Sequence, residues 1–155
     1  MQPKRRVGKG GEMNYCFLGK FNLALDDKCR MRLPAKLRAA IGTGYVVMYG
    51  ADCLSVMPKE DFEALNEKFR SIPYSDVEAR RAVSDILGNA FEPEEDAQGR
   101  FVIPKHSRDY AAIVKNVVVV GAGNIIEIWG EERYEKTHTV SSYADKLKAL
   151  AQYGI

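Results

Sequence analysis

The sequence has few of the residues on which metal, disulfide and nucleophilic chemistry depend. Its 155 residues include three cysteines and two histidines, His106 and His138. The cysteines show no paired metal-ligand spacing, and their odd number argues against a disulfide framework. A nucleophile would need a positioned base, and the sequence identifies none. We therefore expect no catalytic residue, no metal, no cofactor and no small-molecule substrate, so an enzyme is the least favoured class.

Long apolar runs and a strong net charge are also missing. No run approaches the roughly 18 residues of a membrane span, and no apolar signal-peptide core follows the basic segment 1–12. These absences indicate a cytoplasmic protein without a membrane partner. The formal net charge is +2, and segment 1–12 holds four basic residues against one acidic residue. The rest of the chain is nearly neutral, which gives only weak support for a polyanionic partner.

One segment of the chain occurs twice. The sequence DDKCRMRLP at 26–34 returns as DAQGRFVIP at 96–104. Asp, Arg, two apolar residues and Pro recur at the same offsets. Internal similarity of this kind indicates one supersecondary unit used in two copies.

The similarity continues beyond the turn and predicts the same order of elements in both copies. Each Pro begins a short helix, followed by two apolar strands, with Gly after the first, and then an acidic helix start. The unit is therefore strand, turn, strand, short helix, strand, turn, strand, helix. The later strands are predicted at 45–49, 54–57, 117–120 and 126–129, and the acidic helices at Lys59 and Glu131.

Two further helices complete an α+β architecture that is rich in strands. A connecting helix has a capping box at 75–78 and an apolar face of Val83, Ile86, Leu87 and Ala90. A last helix starts near Ser142, with an apolar face of Leu147, Leu150 and Ala151 and a stop at Gly154. The predicted units are a basic extension without fixed structure at 1–15, a repeat at 16–70, the connecting helix at 71–89, a second repeat at 90–139 and the C-terminal helix at 140–155.

The strand after each turn presents a basic position in both copies. Side chains alternate along a strand, so the apolar positions point inward, and Arg30 and Arg100 point outward. The inward positions are Met31, Leu33, Phe101 and Ile103. Two outward guanidinium groups suit phosphate or a base edge. Alternatively, each arginine pairs only with its own turn aspartate, Asp26 or Asp96, which would contribute about 0–1 kcal/mol. Spacing alone does not separate the two interpretations.

The neighbouring charges favour binding, mainly through the first copy. Residues 14–41 hold six basic against two acidic residues, whereas residues 86–111 hold three against five. We therefore expect the first copy to supply more of the attraction to a polyanion. The further basic candidates are Lys28, Arg32, Lys36 and Arg38.

Three other motifs give weaker signals. The run of Val into Gly-Ala-Gly at 117–123 lacks the third Gly and the helix of a dinucleotide-binding fingerprint, so we predict a hairpin there. Cys29 stands between two basic residues, which could make it a reactive thiol, but we interpret it as a turn residue. The acidic residues Glu92, Glu94, Glu95 and Asp96 could bind a cation, although such a run is more often a solvated face.

The doubled D-x-x-x-R turn, the PAKLR helix start at 34–38, the VVVVG hairpin at 117–121 and the EIW ending at 127–129 resemble the MraZ family. The resemblance covers residues 16 to about 140. It implies two AbrB-like repeats that form a swapped-hairpin, double-psi-like barrel within one chain. It also implies that subunits assemble into an octamer-like ring.

The resemblance further implies a bacterial transcription regulator that binds double-stranded DNA and is associated with the nucleoid. The implied sites are short direct repeats upstream of the division and cell-wall (dcw) operon, which includes the protein's own gene. The family's DNA-contacting arginine corresponds to Arg30, and its second-repeat equivalent to Arg100. The competing class is an AbrB-fold protein-binding module such as an antitoxin, which usually has one repeat and a disordered tail.

Two features depart from the family pattern. Family members usually have Gly where this chain has Cys29, so a turn that needs positive φ would cost about 1 kcal/mol unless Cys29 adopts another turn. The segment before Met13 is the second departure. It is either a misassigned start, which we favour, or a basic arm that adds nonspecific affinity.

Overall fold

The structure is a computed structural model that describes residues 6–7, 13–14, 16–138 and 142–155. The strands are β1 Arg6–Val7, β2 Met13–Asn14, β3 Phe17–Ala24, β4 Arg30–Met31, β5 Tyr45–Tyr49, β6 Leu54–Pro58, β7 Phe101–Val102, β8 Asn116–Gly123 and β9 Ile126–Gly130. The helices are α1 Ala35–Ile41, α2 Lys59–Arg70, α3 Val77–Gly88, α4 Lys105–Tyr110, α5 Glu131–His138 and α6 Tyr143–Leu150, followed by a 3-10 turn at Ala151–Tyr153. The α+β class is confirmed. Within these ranges no helix is long and apolar enough to cross a bilayer.

The main sheet interleaves the two copies. Its strand order is β3-β8-β9-β6-β5, and all neighbouring strands are antiparallel. All eight residues of β3, from the first copy, pair with β8 of the second. At the centre of the sheet, β6 pairs with β9, again one strand from each copy. The copies therefore share one core and do not form two separate units.

The first strand of the second copy is reduced to a single bridge, which corrects the predicted symmetry. Phe91 exchanges two backbone hydrogen bonds with Val47 of β5, at 2.9 and 3.0 Å. The residues from 92 to 95 have no strand structure, because Pro93 cannot donate to a ladder and charged side chains flank it. The described strands form an open sheet, so the swapped-hairpin barrel stays a prediction.

A second, two-stranded sheet joins the repeated turns. In this ribbon β4 and β7 are antiparallel, with Arg30 opposite Val102 and Met31 opposite Phe101. The side chains on its inner face are at most 3% exposed and belong to the main core: Met31, Leu33, Phe101 and Ile103. The predicted inward positions are therefore confirmed, and the ribbon lies with its other face outward.

The predicted elements of each copy are found close to their expected positions. The Gly-Ala-Gly segment lies in the hairpin of β8 and β9, with Gly121 opposite Ile126. The predicted hairpin is therefore found at this position, and not a dinucleotide-binding turn. Both acidic helices begin where the sequence predicted them. Pro34 and Pro104 are N-cap residues with φ near −49° and −58°. Each has an extended ψ, so the helix begins one residue after the proline, whereas the sequence predicted the proline itself as the first helical residue.

The connecting helix differs from its prediction at its start and on its apolar face. Asp76 is the N-cap in place of Ser75, and its carboxylate accepts a hydrogen bond from the Ala79 N–H at 3.1 Å. An aspartate is as good a cap as serine. Val83 is buried as predicted, but Ile86 is 40% exposed, so the buried stripe is narrower than the sequence indicated.

The C-terminal residues 142–155 are exposed along their whole length. Ser142 caps α6 by accepting a hydrogen bond from Asp145, which confirms the predicted start. However, Leu147 and Leu150 are 55% and 41% exposed, so no described part of the chain covers the predicted apolar face of α6. The segment 1–15, which the sequence predicted to lack fixed structure, lies mostly outside the described residues. In the part of this segment that is described, β1 and β2 pair with each other.

Gly99 offers a direct test of backbone strain in the ribbon turn. Its φ is +79°, and a Cβ there would lie 3.0 Å from Nε and Cζ of Arg38. We expect Gly99→Ala to lower the free energy of unfolding by about 1–2 kcal/mol, measured by urea denaturation. Gly88→Ala is the matched control. Gly88 ends α3 with open space around its Cα, so alanine there should be neutral or stabilise by up to about 1 kcal/mol. Equal stabilities of the two variants would contradict the strain argument.

Candidate nucleic-acid interface

The two repeated turns have the same hydrogen bonds. Asp26 accepts from the backbone N–H groups two and four residues later, each at 2.9 Å, and Asp96 does the same. Such side-chain bonds to the following backbone are the usual reason for an aspartate at the start of a turn. The repeated Asp and Arg therefore belong to one local structure that the sequence specifies twice.

The residue before each arginine has a left-handed backbone conformation. Cys29 has φ of +58° and Gly99 has φ of +79°. Cys29 thus keeps the turn that glycine would favour, and we attribute to it a strain of about 1 kcal/mol. The sequence left two alternatives for Cys29, a strained turn with positive φ or a different turn, and the structure has the strained turn.

Each arginine pairs with the aspartate of its own turn and approaches that of the other turn. Nε of Arg30 donates to Oδ2 of Asp26 at 2.8 Å, and Nε of Arg100 donates to Oδ2 of Asp96 at 2.9 Å. The ribbon brings the turns together, so Nη1 of Arg30 lies 3.7 Å from Asp96, and Nη1 of Arg100 lies 4.0 Å from Asp26. We call these four residues the Arg–Asp cluster.

The Arg–Asp cluster lies at the surface. The side chains of Arg30 and Arg100 are 24% and 34% exposed. Pairing with the turn aspartate, which was the alternative to a binding role, is therefore present. It still leaves part of each guanidinium accessible, so the aspartates orient the arginines without covering them.

The turns hold both aspartates in their charged form. The backbone N–H of Arg30 is the largest cause that lowers the pKa of Asp26 below its usual 3.8, and the Arg30 side chain adds to it. The backbone N–H of Arg100 has the same effect on the pKa of Asp96. At neutral pH the cluster therefore has two positive and two negative charges.

Two further arginines extend from the first copy to the turn of the second. Nη1 of Arg32 donates to the carbonyl of Gln98 at 3.2 Å. Arg38 donates through Nε and Nη2 to the two carboxylate oxygens of Glu95, each at 3.1 Å. Both side chains pass close to the Cα of Gly99. The basic residues of the first copy thus lie beside the second turn as well as the first.

The two predicted lysines are exposed. Lys28 lies in the first turn, where its backbone N–H donates to Asp26. Lys36 lies in the first turn of α1, and no hydrogen bond or ion pair between described residues joins it to the Arg–Asp cluster. The structure therefore brings the four predicted arginines and Lys28 together at the turns, whereas Lys36 stands apart on the helix.

Sequence reasoning missed one participant. The hydroxyl of Tyr45 donates to Oε2 of Glu95 at 2.9 Å, so this carboxylate accepts from both Arg38 and Tyr45. Burial raises the pKa of Tyr45, which keeps its hydroxyl a donor. Tyr45 and Glu95 are 50 positions apart, and no spacing in the sequence signals their contact.

The predicted acidic run and the buried Cys53 bear on metal binding and thiol chemistry. Among the described residues, no group of His, Cys, Asp and Glu could hold a metal ion. The predicted acidic run is divided among ion pairs, with Glu92 close to Lys59 at 3.7 Å and Glu95 and Asp96 paired as above. Burial raises the pKa of the Cys53 thiol to about 12, so this cysteine stays protonated at neutral pH.

Comparison with known proteins matches both halves of the chain to one family. The sequence model of "MraZ protein, putative antitoxin-like" matches residues 16–85 and again residues 86–151. The chain belongs to the MraZ family. Each of the two matched segments contains one D-x-x-x-R turn, and the resemblance inferred from the sequence is confirmed.

Individual MraZ proteins are similar over nearly their whole length. A transcriptional regulator MraZ of Heliobacterium modesticaldum is 37% identical over 142 residues, which are 90% of this chain and 99% of that protein. The transcriptional regulator MraZ of Natranaerobius thermophilus is 40% identical over the same shares. That of Moorella thermoacetica is 37% identical over 88% of this chain and 94% of its own. These relatives are named as regulators and not as enzymes, in agreement with the class expected from the sequence.

The lowered pKa values predict how acid acts on this MraZ chain. A carboxyl whose folded pKa lies below its unfolded value of 3.8 stabilises the fold above that value, and this stability is lost as the pH falls through the folded pKa. We expect Asp96→Asn to lose stability less steeply than the parent chain on acidification from about pH 5 to 2, measured by urea denaturation.

Asp61→Asn is the control with the opposite sign. Burial raises the pKa of Asp61, so this group stabilises the fold at low pH, and the contribution is lost as the pH rises through the folded pKa. Its removal should make the loss on acidification steeper. A parallel pH dependence of Asp96→Asn and the parent chain would contradict the role given to the turn hydrogen bonds.

Proposed function

We propose that this protein is a sequence-specific DNA-binding regulator of transcription that contacts DNA through the two turns of the Arg–Asp cluster. The observation that carries the proposal is the position of Arg30 and Arg100. They lie side by side at the surface of one antiparallel ribbon, presented by turns with the same hydrogen bonds. Lys28, Arg32, Lys36 and Arg38 are proposed to add phosphate contacts.

The proposed contact uses the shape of the ribbon and the geometry of arginine. The major groove of B-DNA admits a two-stranded ribbon, and arginine pairs with guanine through two parallel hydrogen bonds. The aspartates hold Nε of each arginine and leave part of its side chain accessible, so the guanidinium groups are already oriented before DNA binds. Preorganised side chains lose less conformational freedom on binding.

The local charge balance argues that one such surface binds weakly. Each arginine of the Arg–Asp cluster is accompanied by an aspartate, and Arg38 is accompanied by Glu95. We therefore propose that several subunits act together, as a ring-shaped, octamer-like homo-oligomer that meets short direct repeats of DNA. Joined surfaces gain affinity through effective concentration. The exposed apolar side chains of α6, Leu147 and Leu150, support self-association.

The finer assignment follows the family. We propose that the direct repeats lie upstream of the dcw operon and of the protein's own gene, that each chain completes a swapped-hairpin barrel, and that the protein is cytoplasmic and associated with the nucleoid. The interleaved pairing of β3 with β8 supports the barrel. The residue ranges proposed for the two repeats, the connecting helix and the ends are those given from the sequence.

An antitoxin-like role is the second candidate. The family description supports it, and so does the exposed apolar face of α6, which a protein partner could cover. The second repeat and the paired arginines favour the DNA-binding role. Stoichiometric binding of promoter DNA beside a pull-down from lysate separates the two classes.

Substitution of the paired arginines tests the DNA contact. We expect Arg30→Ala and Arg100→Ala to weaken binding to the duplex upstream of the protein's own gene, measured by fluorescence anisotropy. A lost phosphate contact should reduce the salt slope by about 0.9, and a lost base contact should relax preference at one position by about 1–3 kcal/mol. Arg81→Ala, which removes an exposed arginine of α3 outside the turns, is the control. If folded Arg30→Ala and Arg100→Ala bind as tightly as this control, the arginines serve only the turns.

The number of DNA repeats tests the proposed joint action of subunits. We expect the apparent affinity for duplexes of equal length that contain one, two and four copies of the repeat to rise steeply with copy number, by about 10-fold or more per step. A duplex with four copies at altered spacing is the control for length and charge. Affinity that does not depend on copy number would rule out avidity.

A further inference from the structure

Arg38 is a predicted DNA contact whose guanidinium already donates two hydrogen bonds to one carboxylate. Its Nε and Nη2 both donate to Glu95 at 3.1 Å, and the same carboxylate accepts from the Tyr45 hydroxyl at 2.9 Å. The pair joins α1 of the first copy to the segment just before the second turn. Arg38 is 45% exposed and Glu95 is 21% exposed, so the arginine lies on the solvent side of the pair.

Among the described residues, this pair has no counterpart in the second copy. Seventy positions separate equivalent residues of the two copies, so Arg108 corresponds to Arg38, and Leu25 corresponds to Glu95. Arg108 donates through Nε to the carbonyl of Ile103 in its own copy, at 3.1 Å. Leu25 is buried at 4% exposure. Within the described residues, the helix arginine of the first copy forms an ion pair with a carboxylate and that of the second copy does not, so the repeated fold does not require this pair.

The geometry of the pair is that of a phosphate contact. Arginine binds carboxylate and phosphate alike, with two parallel hydrogen bonds from its guanidinium. Arg38 and Glu95 also line an open cleft of about 550 Å³ next to Arg32, where an anion can approach. An exposed ion pair contributes only about 0–1 kcal/mol, so Arg38 can exchange one anion for another. Glu95 then keeps the hydrogen bond from Tyr45.

We propose that Arg38 forms a phosphate subsite of the DNA surface and that Glu95 occupies this subsite in the free protein as an internal substitute for phosphate. This inference rests on the proposed DNA-binding function and adds a residue that limits affinity. Glu95 competes with the DNA backbone for Arg38. It thereby weakens binding to any sequence and leaves the contacts of Arg30 and Arg100 to decide where the protein binds.

The test is a double-mutant cycle on the full-length protein. Its probe is a labelled 20-base-pair duplex of random sequence, with binding measured by fluorescence anisotropy over a salt series. We expect Glu95→Gln to raise the affinity by about threefold to tenfold and to steepen the salt slope by up to about 0.9. In the Arg38→Gln background the same substitution should have little effect, because the competing pair is already absent.

Two further variants separate the contact from general charge. Glu94→Gln removes the same charge one residue away, and Glu94 makes no ion pair or hydrogen bond within the described part of the chain. We expect a much smaller gain there. Glu95→Asp keeps the charge but cannot reach Arg38 in the same way, so it should also raise affinity. It remains informative if Glu95→Gln fails to fold, which thermal unfolding reports.

The outcomes separate this inference from the function on which it rests. If the parent chain binds DNA, and Glu95→Gln binds no better or gains as much without Arg38, the subsite is overturned while the DNA-binding function stands. If neither the parent chain nor the Glu95 variants bind any duplex, both are overturned. Binding by Glu95→Gln but not by the parent chain would support the inference in its strongest form.

Discussion

The antiparallel pairing of β4 with β7 is the constraint on which the rest of the structure depends. It places four apolar side chains, two from each copy, in the shared core and leaves Arg30 and Arg100 outward. Burying one such side chain stabilises a fold by about 1.5–3 kcal/mol, whereas an exposed ion pair contributes about 0–1 kcal/mol. The core therefore fixes the ribbon, and the ribbon fixes how close the two guanidinium groups lie.

The aspartates of the turns have a structural and a functional consequence at once. Each one closes its turn through backbone hydrogen bonds and holds Nε of its arginine. A guanidinium that is already oriented loses less freedom on binding, but its charge is partly balanced. We therefore propose that a single copy of this surface binds DNA weakly and that several subunits bind together.

The two copies have kept the turn and changed the charges around it. Cys29 and Gly99 have the same left-handed conformation despite different side chains, because the aspartate hydrogen bonds define the turn in both. Around this common geometry the first copy supplies Arg32 and Arg38, and the second supplies Glu95 as the partner of Arg38. The two turns therefore have similar backbones, but the basic side chains come from the first copy and their acceptors from the second.

The sequence by itself determined the two copies, their helices and hairpins, the inward side chains of the ribbon and the outward arginines, because periodicity and turn chemistry are local. Only the tertiary structure decided that β3 pairs with the other copy, that Phe91 makes one bridge, that Ile86 and α6 stay exposed, and that the two turns meet. It also decided the pairing of Arg38 with Glu95, which lie 57 positions apart. Contacts of this kind depend on how distant strands pair, and no local pattern of residues specifies them.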